Sequence, residues 1–190
     1  MRKIIILVLC VLTMLVVGCN SDLKKAREYQ RQGDWVKAQE YYLKLVKNNP
    51  KNARYHNELG YVYMKRGFYE LAEREYTQAT VLDDFFVEAH YNKGTVLFKM
   101  GKFPEAIQEF EKVVKMDPNN AKAWNNLAMA VQVHENDYER ALEFFRKAIK
   151  LDPENPDFHT NISNLYQAMG QNQLAEEHKN KAEALRARKK

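Results

Sequence analysis

Past Cys19 the chain has no cysteine, and its second one, Cys10, lies inside an apolar N-terminal stretch. A body without a pair of thiols must hold itself together by packing, so disulfides, thiol redox work and cysteine metal sites are excluded for it. Long hydrophobic runs are equally scarce. The run from Ile4 to Val17 has fourteen residues, about 21 Å as a helix against about 30 Å for a bilayer core, which makes a permanent transmembrane span the weaker reading. No His-Glu-x-x-His, Gly-x-Ser-x-Gly or Walker sequence occurs, so the chain carries none of the recognisable hydrolase or nucleotide-binding machinery. A strong excess of one charge is also missing, with 30 Lys and Arg against 25 Asp and Glu. What excess there is sits at the end: "HKNKAEALRARKK" holds six basic residues and one acidic, whereas residues 19–177 hold 22 basic and 24 acidic. A broad nucleic-acid footprint needs a basic face on the body itself, and no nucleic-acid partner is expected.

At the N-terminus, Arg2 and Lys3 precede the apolar run, as in an export signal. The run closes on Val16-Val17-Gly18-Cys19 and then turns polar. These four residues resemble the lipobox of bacterial lipoproteins, with Val16 where leucine is usual. The resemblance implies that residues 1–18 are a signal peptide that is removed, and that Cys19 is lipidated and becomes the mature N-terminus. The alternatives are an ordinary cleaved signal and an uncleaved anchor. Two or more acyl chains on one cysteine suffice for stable anchoring. Asn20 is not the aspartate that retains some lipoproteins at the inner membrane. The expected place is therefore the cell envelope, at the outer membrane facing the periplasm, with the inner membrane as the alternative.

From there on the chain repeats itself. Ala38, Ala72, Ala106, Ala141 and Ala175 are separated by 34, 34, 35 and 34 residues, and Gly33, Gly67, Gly101 and Gly170 keep the same register, as do Pro50, Pro118 and Pro153. Within each unit apolar residues recur three and four apart in two blocks, which predicts two amphipathic helices joined by a glycine turn. In the longer fourth unit Asn136 is expected to replace the missing glycine, because asparagine tolerates positive φ. Small residues at Ala26, Gly60, Gly94, Ala128 and Ser163 are expected to let paired helices approach, and Tyr42, Tyr76, Phe110 and Phe145 to fill the space between neighbouring hairpins. Lys179 stands in that aromatic position in the last unit, as suits a terminal helix with water on its outer side.

Leu59, Gly60, Tyr63, Gly67, Ala72, Tyr76 and Ala79 of the second unit, with Trp124, Leu127, Ala128, Ala141, Phe145, Ala148 and Pro153 of the fourth, resemble the signature of tetratricopeptide repeats. The resemblance implies an all-α, right-handed α-solenoid of about five helical hairpins, with repeats at about 19–52, 53–86, 87–120, 121–155 and 156–189. It also implies an inner wall made by the first helices, where a protein or peptide partner binds. The residues placed there are Asn57, Tyr61, Tyr91, Asn92, Thr95, Phe98, Asn125, Asn126, Met129, Asn161 and Asn164. Asn92, Asn126 and Asn161 share one position in successive units and are expected to form a ladder of amides suited to the backbone of an extended peptide.

Competing chemistry is thin. Lys24, Arg27, Arg31, Lys65 and Lys99 do not fall on the positions of the carboxylate clamp some family members use, and they read as a solvated basic edge. His56, His90 and His159 occupy the slot that Trp124 fills, so packing explains them, and no metal or other cofactor is expected. The basic tail, with Ala182 and Leu185 at helical spacing, continues the last helix. A regular solenoid encloses little volume for catalysis, so no enzyme is expected. The lipobox and the repeats together resemble lipoproteins that help assemble pili, secretion pores or outer-membrane complexes, and that resemblance implies a non-catalytic, membrane-anchored scaffold in the bacterial envelope. A chaperone-like groove for extended clients and an oligomerising structural protein are the alternatives.

Overall fold

The computed structural model describes residues 21–188. Cys19 and the signal segment at residues 1–18 lie outside the described residues. Ten helices are present among them and no strand. Residues 21–32 form α1, followed by α2 (Trp35–Asn48), α3 (Ala53–Lys65), α4 (Tyr69–Leu82), α5 (Val87–Lys99), α6 (Phe103–Met116), α7 (Ala121–Glu135), α8 (Tyr138–Leu151), α9 (Pro156–Ala168) and α10 (Asn172–Arg188). Consecutive pairs form hairpins. The chain divides into two compact units between Phe86 and Val87, the first holding α1–α4 and the second α5–α10. No helix among the described residues is long and apolar enough to cross a membrane.

The turns explain the glycines. Gly67 has φ +80°, and the chain closes around it with Phe68 N donating to Tyr63 O at 2.9 Å and Gly67 N to Met64 O at 3.1 Å. This is a Schellman ending, which needs a left-handed residue at its centre. Gly33, Gly101 and Gly170 adopt the same conformation. Asn136 takes it in the fourth hairpin, at φ 53°, as its tolerance for positive φ led one to expect. Asparagine and aspartate cap the helices that follow: the side chains of Asn52, Asn120 and Asn155 accept from Tyr55 N, Ala123 N and Asp157 N, and those of Asp34 and Asp137 from Lys37 N and Arg140 N.

Packing inside each hairpin follows the small and large residues. Ala38, Ala72, Ala106 and Ala141 have no exposed surface, nor do the rings of Tyr42, Tyr76, Phe110 and Phe145. Two of these rings also fill space within their own hairpin. A Cβ added at Gly60 would sit 2.8 Å from the Tyr76 ring, and one at Gly94 2.7 Å from Phe110, so ring and glycine are seated face to face across the pair. Lys179, in the equivalent position of α10, points to solvent with 58% of its side chain exposed. The basic tail continues this last helix to Arg188, with Ala182 and Leu185 buried.

Candidate functional site

In the second unit the first helices α5, α7 and α9 lie side by side and make a wall. A chain of amides crosses it. Asn161 Nδ2 donates to Asn125 Oδ1 at 2.9 Å, Asn125 Nδ2 to Asn126 Oδ1 at 3.2 Å, and Asn126 Nδ2 to the Tyr91 hydroxyl at 3.2 Å. Met129 Sδ also receives Asn125 and Asn161, at 3.6 and 3.5 Å. Asn126 and Asn161, equivalent by register, are thus joined through Asn125 rather than directly. The cause is geometric: successive helices stand a helix width apart, and a residue one position earlier on α7 bridges the gap. Asn92 is half-buried on α5. Burial pushes the Tyr91 phenol above its usual range while the bonds from Asn126 and Thr95 act the other way, so its hydroxyl stays protonated at neutral pH.

Beside this chain opens a cavity of about 230 Å³ lined by Thr95, Phe98, Lys99, Phe110, Asn126 and Met129. Phe98 is held edge-on against Phe103 with centroids 5.3 Å apart, and Thr95 is turned by its bond to Tyr91 O at 2.9 Å. The cavity suits one apolar side chain of a bound segment. Asn126 gives one amide hydrogen to the Tyr91 hydroxyl, and its side chain borders the cavity. Thr95, Phe98, Asn126 and Met129 come together as a site. Phe110 and Lys99 join them although the sequence reading gave the first to packing and the second to a basic edge. For Lys99 the available signal was its position four residues after Thr95 on α5, whereas Phe110 is brought in from α6 by the packing of the hairpin.

The remaining expected residues lie elsewhere. Asn164 is exposed on α9, in a groove with Ser163, Gln167, Lys179 and Glu183. Asn57 is 1% exposed, so its amide serves the interior of the first unit rather than an open surface. Tyr61, also in that unit, packs edge-on against Trp35 at 6.1 Å and lines a cleft with Lys24, Arg27 and Arg31. Trp35 was not anticipated, yet an aromatic stands two residues past three of the four glycine turns, at Trp35, Tyr69 and Phe103, which was the cue.

The histidine slot is a packing position with varied chemistry. His56 Nδ1 pairs with Glu75 at 2.6 Å, and its Nε2 bonds Pro50 O at 3.0 Å. His90 Nδ1 pairs with Glu109 at 2.5 Å, where Lys93 stands 3.1 Å from the other carboxylate oxygen. Burial alone would raise the Glu109 carboxyl, but the His90 bond and the charges of Lys93 and Lys112 outweigh it and hold it at about 2. Trp124 Nε1 donates to Pro118 O at 2.9 Å. His159 Nε2 bonds Pro153 O at 3.0 Å, and its Nδ1 meets His178 Nδ1 at 2.9 Å. Among the described residues no three His, Cys, Asp or Glu side chains gather as metal ligands.

Comparison with known proteins places this geometry. Tetratricopeptide repeat models match residues 23–85, 59–99 and 91–156, and a second such model matches residues 132–185. Rat serine/threonine-protein phosphatase 5 is 32% identical over 111 residues, which span 55% of this chain and 22% of that protein. The chain thus covers about a fifth of the length of this relative and of its mouse and human counterparts. Among solved structures, MamA from Desulfovibrio magneticus superposes with a TM-score of 0.81 at 24% identity, over 89% of this chain and 95% of that one. YrrB, described as a tetratricopeptide protein with an unusual peptide-binding site, superposes with a TM-score of 0.70 at 22% identity, over 84% and 82%. At such identities the structural likeness speaks for the fold. The family models run almost unbroken from residue 23 to residue 185, and the chain belongs to the tetratricopeptide repeat family.

Proposed function

We propose that the chain is a non-catalytic protein-interaction scaffold of the bacterial envelope, tethered by acyl chains on Cys19, and that it holds a partner segment on the wall of α5, α7 and α9. The observation that carries the binding half is the cavity of about 230 Å³ with Asn126 at its rim. It offers an apolar seat and a backbone-directed amide side by side, the combination that peptide grooves use. The peptide-binding site named for YrrB supports the reading. The tether rests on the lipobox-like Val16-Val17-Gly18-Cys19, and assembly of a pilus, a secretion pore or an outer-membrane complex is the task such a tethered scaffold would serve.

The test of the binding half is capture from cross-linked cells, with the native chain beside a variant carrying Asn92→Ala, Asn126→Ala and Asn161→Ala that circular dichroism shows to be folded. One or two stoichiometric partners that vanish from the variant support the scaffold. Many unrelated clients that vanish together point to a chaperone-like groove, a reading favoured by amides that recognise backbone without reading sequence. Retention at full yield rejects the wall. For the tether, Cys19→Ser is expected to abolish palmitate labelling and release the protein from membranes; unchanged labelling would reject it.

A further inference from the structure

We infer that the edge of the first unit carrying Val81 and Phe85 docks on the surface of the lipid bilayer, an inference that rests on the Cys19 tether proposed above. The turns of this unit fall on two edges. Lys25 Nζ lies 5.5 Å from the Tyr41 ring centre and Lys37 Nζ 5.0 Å from that of Tyr29, so α1 and α2 run antiparallel and the first turn of α1 is level with the last turn of α2. His56 with Glu75, and Tyr63 with Phe68, pair α3 and α4 in the same sense. The start of α1, the turn at residues 49–52 and the turn at residues 83–86 therefore share one edge. There Asp83 and Phe86 line a recess with Lys51 and Arg54. From Cys19 to Ser21 the chain reaches about 7 Å at most, whereas the opposite edge is about 20 Å away along the helices. Acyl chains on Cys19 thus hold this edge, and not the other, at the bilayer.

The chemistry of the edge departs from the chain's own repeat. By register, residues 85 and 86 answer to Lys51 and Asn52, to Asn119 and Asn120, and to Glu154 and Asn155. In those three turns the first residue is polar and exposed, and the second caps the helix that follows. Phenylalanine has no side-chain oxygen for a cap. Phe85 is 81% exposed and Val81, one turn earlier, 73%. The turn that presents Phe85 is fixed, with Phe85 N donating to Asp83 Oδ1 at 3.1 Å and Phe86 N to Asp83 O at 3.2 Å. Around this apolar tip, residues 22–25, 47–54 and 81–86 hold five basic side chains, Lys24, Lys25, Lys47, Lys51 and Arg54, against Asp22, Asp83 and Asp84. All five are exposed. An apolar tip among cations suits the boundary between headgroups and acyl chains of an anionic bilayer.

The experiment uses the processed, acylated full chain in vesicles of phosphatidylethanolamine and phosphatidylglycerol. Processing removes Cys10 and acylation occupies the Cys19 sulfur, so a cysteine introduced by Pro50→Cys on this edge, or by Gln32→Cys on the opposite one, is the thiol that a nitroxide label takes. Electron spin resonance with an aqueous nickel complex and with lipid-soluble oxygen then reads the depth of each label. The label at residue 50 is expected to meet nickel several-fold less often than the label at residue 32, and oxygen more often. Adding Phe85→Asp should return it to water, whereas Val36→Asp, also at an exposed position, should not. Equal nickel access at the two labels, or no change with Phe85→Asp, overturns the docking edge while mass spectrometry of an acylated Cys19 leaves the tether standing. A chain without acyl groups removes the tether, and this inference with it. Protection that disappears when each vesicle holds fewer chains shows a second copy covering the edge in place of lipid, and overturns the inference as well.

Discussion

Nineteen residues separate the partners of one cross-hairpin slot both in α5–α6 and in α9–α10, but the chemistry differs. His90 meets the Glu109 carboxylate, which Lys93 and Lys112 also serve. His159 meets another imidazole, His178, flanked by Tyr166 and within the field of Arg146 on α8. A carboxylate only accepts, so in the first pair the His90 ring donates through Nδ1–H. Two Nδ1 atoms facing each other have room for one proton between them, and a second proton breaks the bond. Equal backbone geometry therefore hosts an imidazole–carboxylate pair in one hairpin and, in the other, an imidazole pair that acid opposes. The aromatic position differs in parallel: Phe110 is sealed against Gly94, while Lys179 lies open to water.

The largest expected difference comes from emptying that aromatic position. Phe110→Ala should cost about 3–5 kcal/mol of unfolding free energy by cavity formation, whereas Lys179→Ala should change it by about 0.5 kcal/mol or less; urea denaturation of both variants tests this. Next comes Glu109→Gln, which leaves Lys93 facing a neutral amide in a mostly buried site and should cost about 2–3 kcal/mol. A loss below about 0.5 kcal/mol in the same assay would show that the ion cluster stabilises little.

Acid should then separate the two hairpins. Burial first, then the charges of His159 and Arg146, hold His178 below its ordinary value of 6.5, against the opposing pull of Glu177. The unfolded chain therefore takes up more protons as pH falls, and the stability that His178 contributes is complete above about 6.5 and is lost as pH falls below it. Glu109, held at about 2 against an ordinary 4.5, contributes stability that is complete above 4.5 and lost only on approach to about 2. NMR is expected to show α10 signals broadening below about pH 6 with α5 and α6 unchanged. Simultaneous broadening would break the comparison. The smallest effect is expected at the odd turn, where Asn136→Gly should stabilise by a few tenths of a kcal/mol and Asn136→Ala destabilise by about 1 kcal/mol, because φ 53° suits glycine and strains alanine.

Much of the fold was legible because it rests on local rules repeated in register. The glycine turns, the alanines against the facing helix and the substitute role of Asn136 follow from positive φ and from volume, both of which are read residue by residue. The placement of the aromatic rings was less legible. That the Tyr76 and Phe110 rings seat against Gly60 and Gly94 of their own hairpins depends on how closely two particular helices approach. In the candidate wall, register identified Asn126 and Asn161 as equivalents but not Asn125 as the bridge between them. A side chain reaches diagonally to the next helix, and a one-dimensional register has no diagonal.

What the sequence alone determined is the helical hairpin and its count, since periodicity, small residues and turn residues act within a few positions of one another. It also determined the absence of any disulfide framework past Cys19, since pairing needs a second thiol. Tertiary structure decided which polar groups are spent on one another and which face open space. Asn57 and Asn126 look alike in the chain, yet one is buried and the other borders a cavity. Lys24, Arg27 and Arg31 looked like a solvated edge until the Trp35 and Tyr61 rings made them one side of a recess. The reason is that desolvation depends on every helix that packs nearby, which no single segment of the chain encodes.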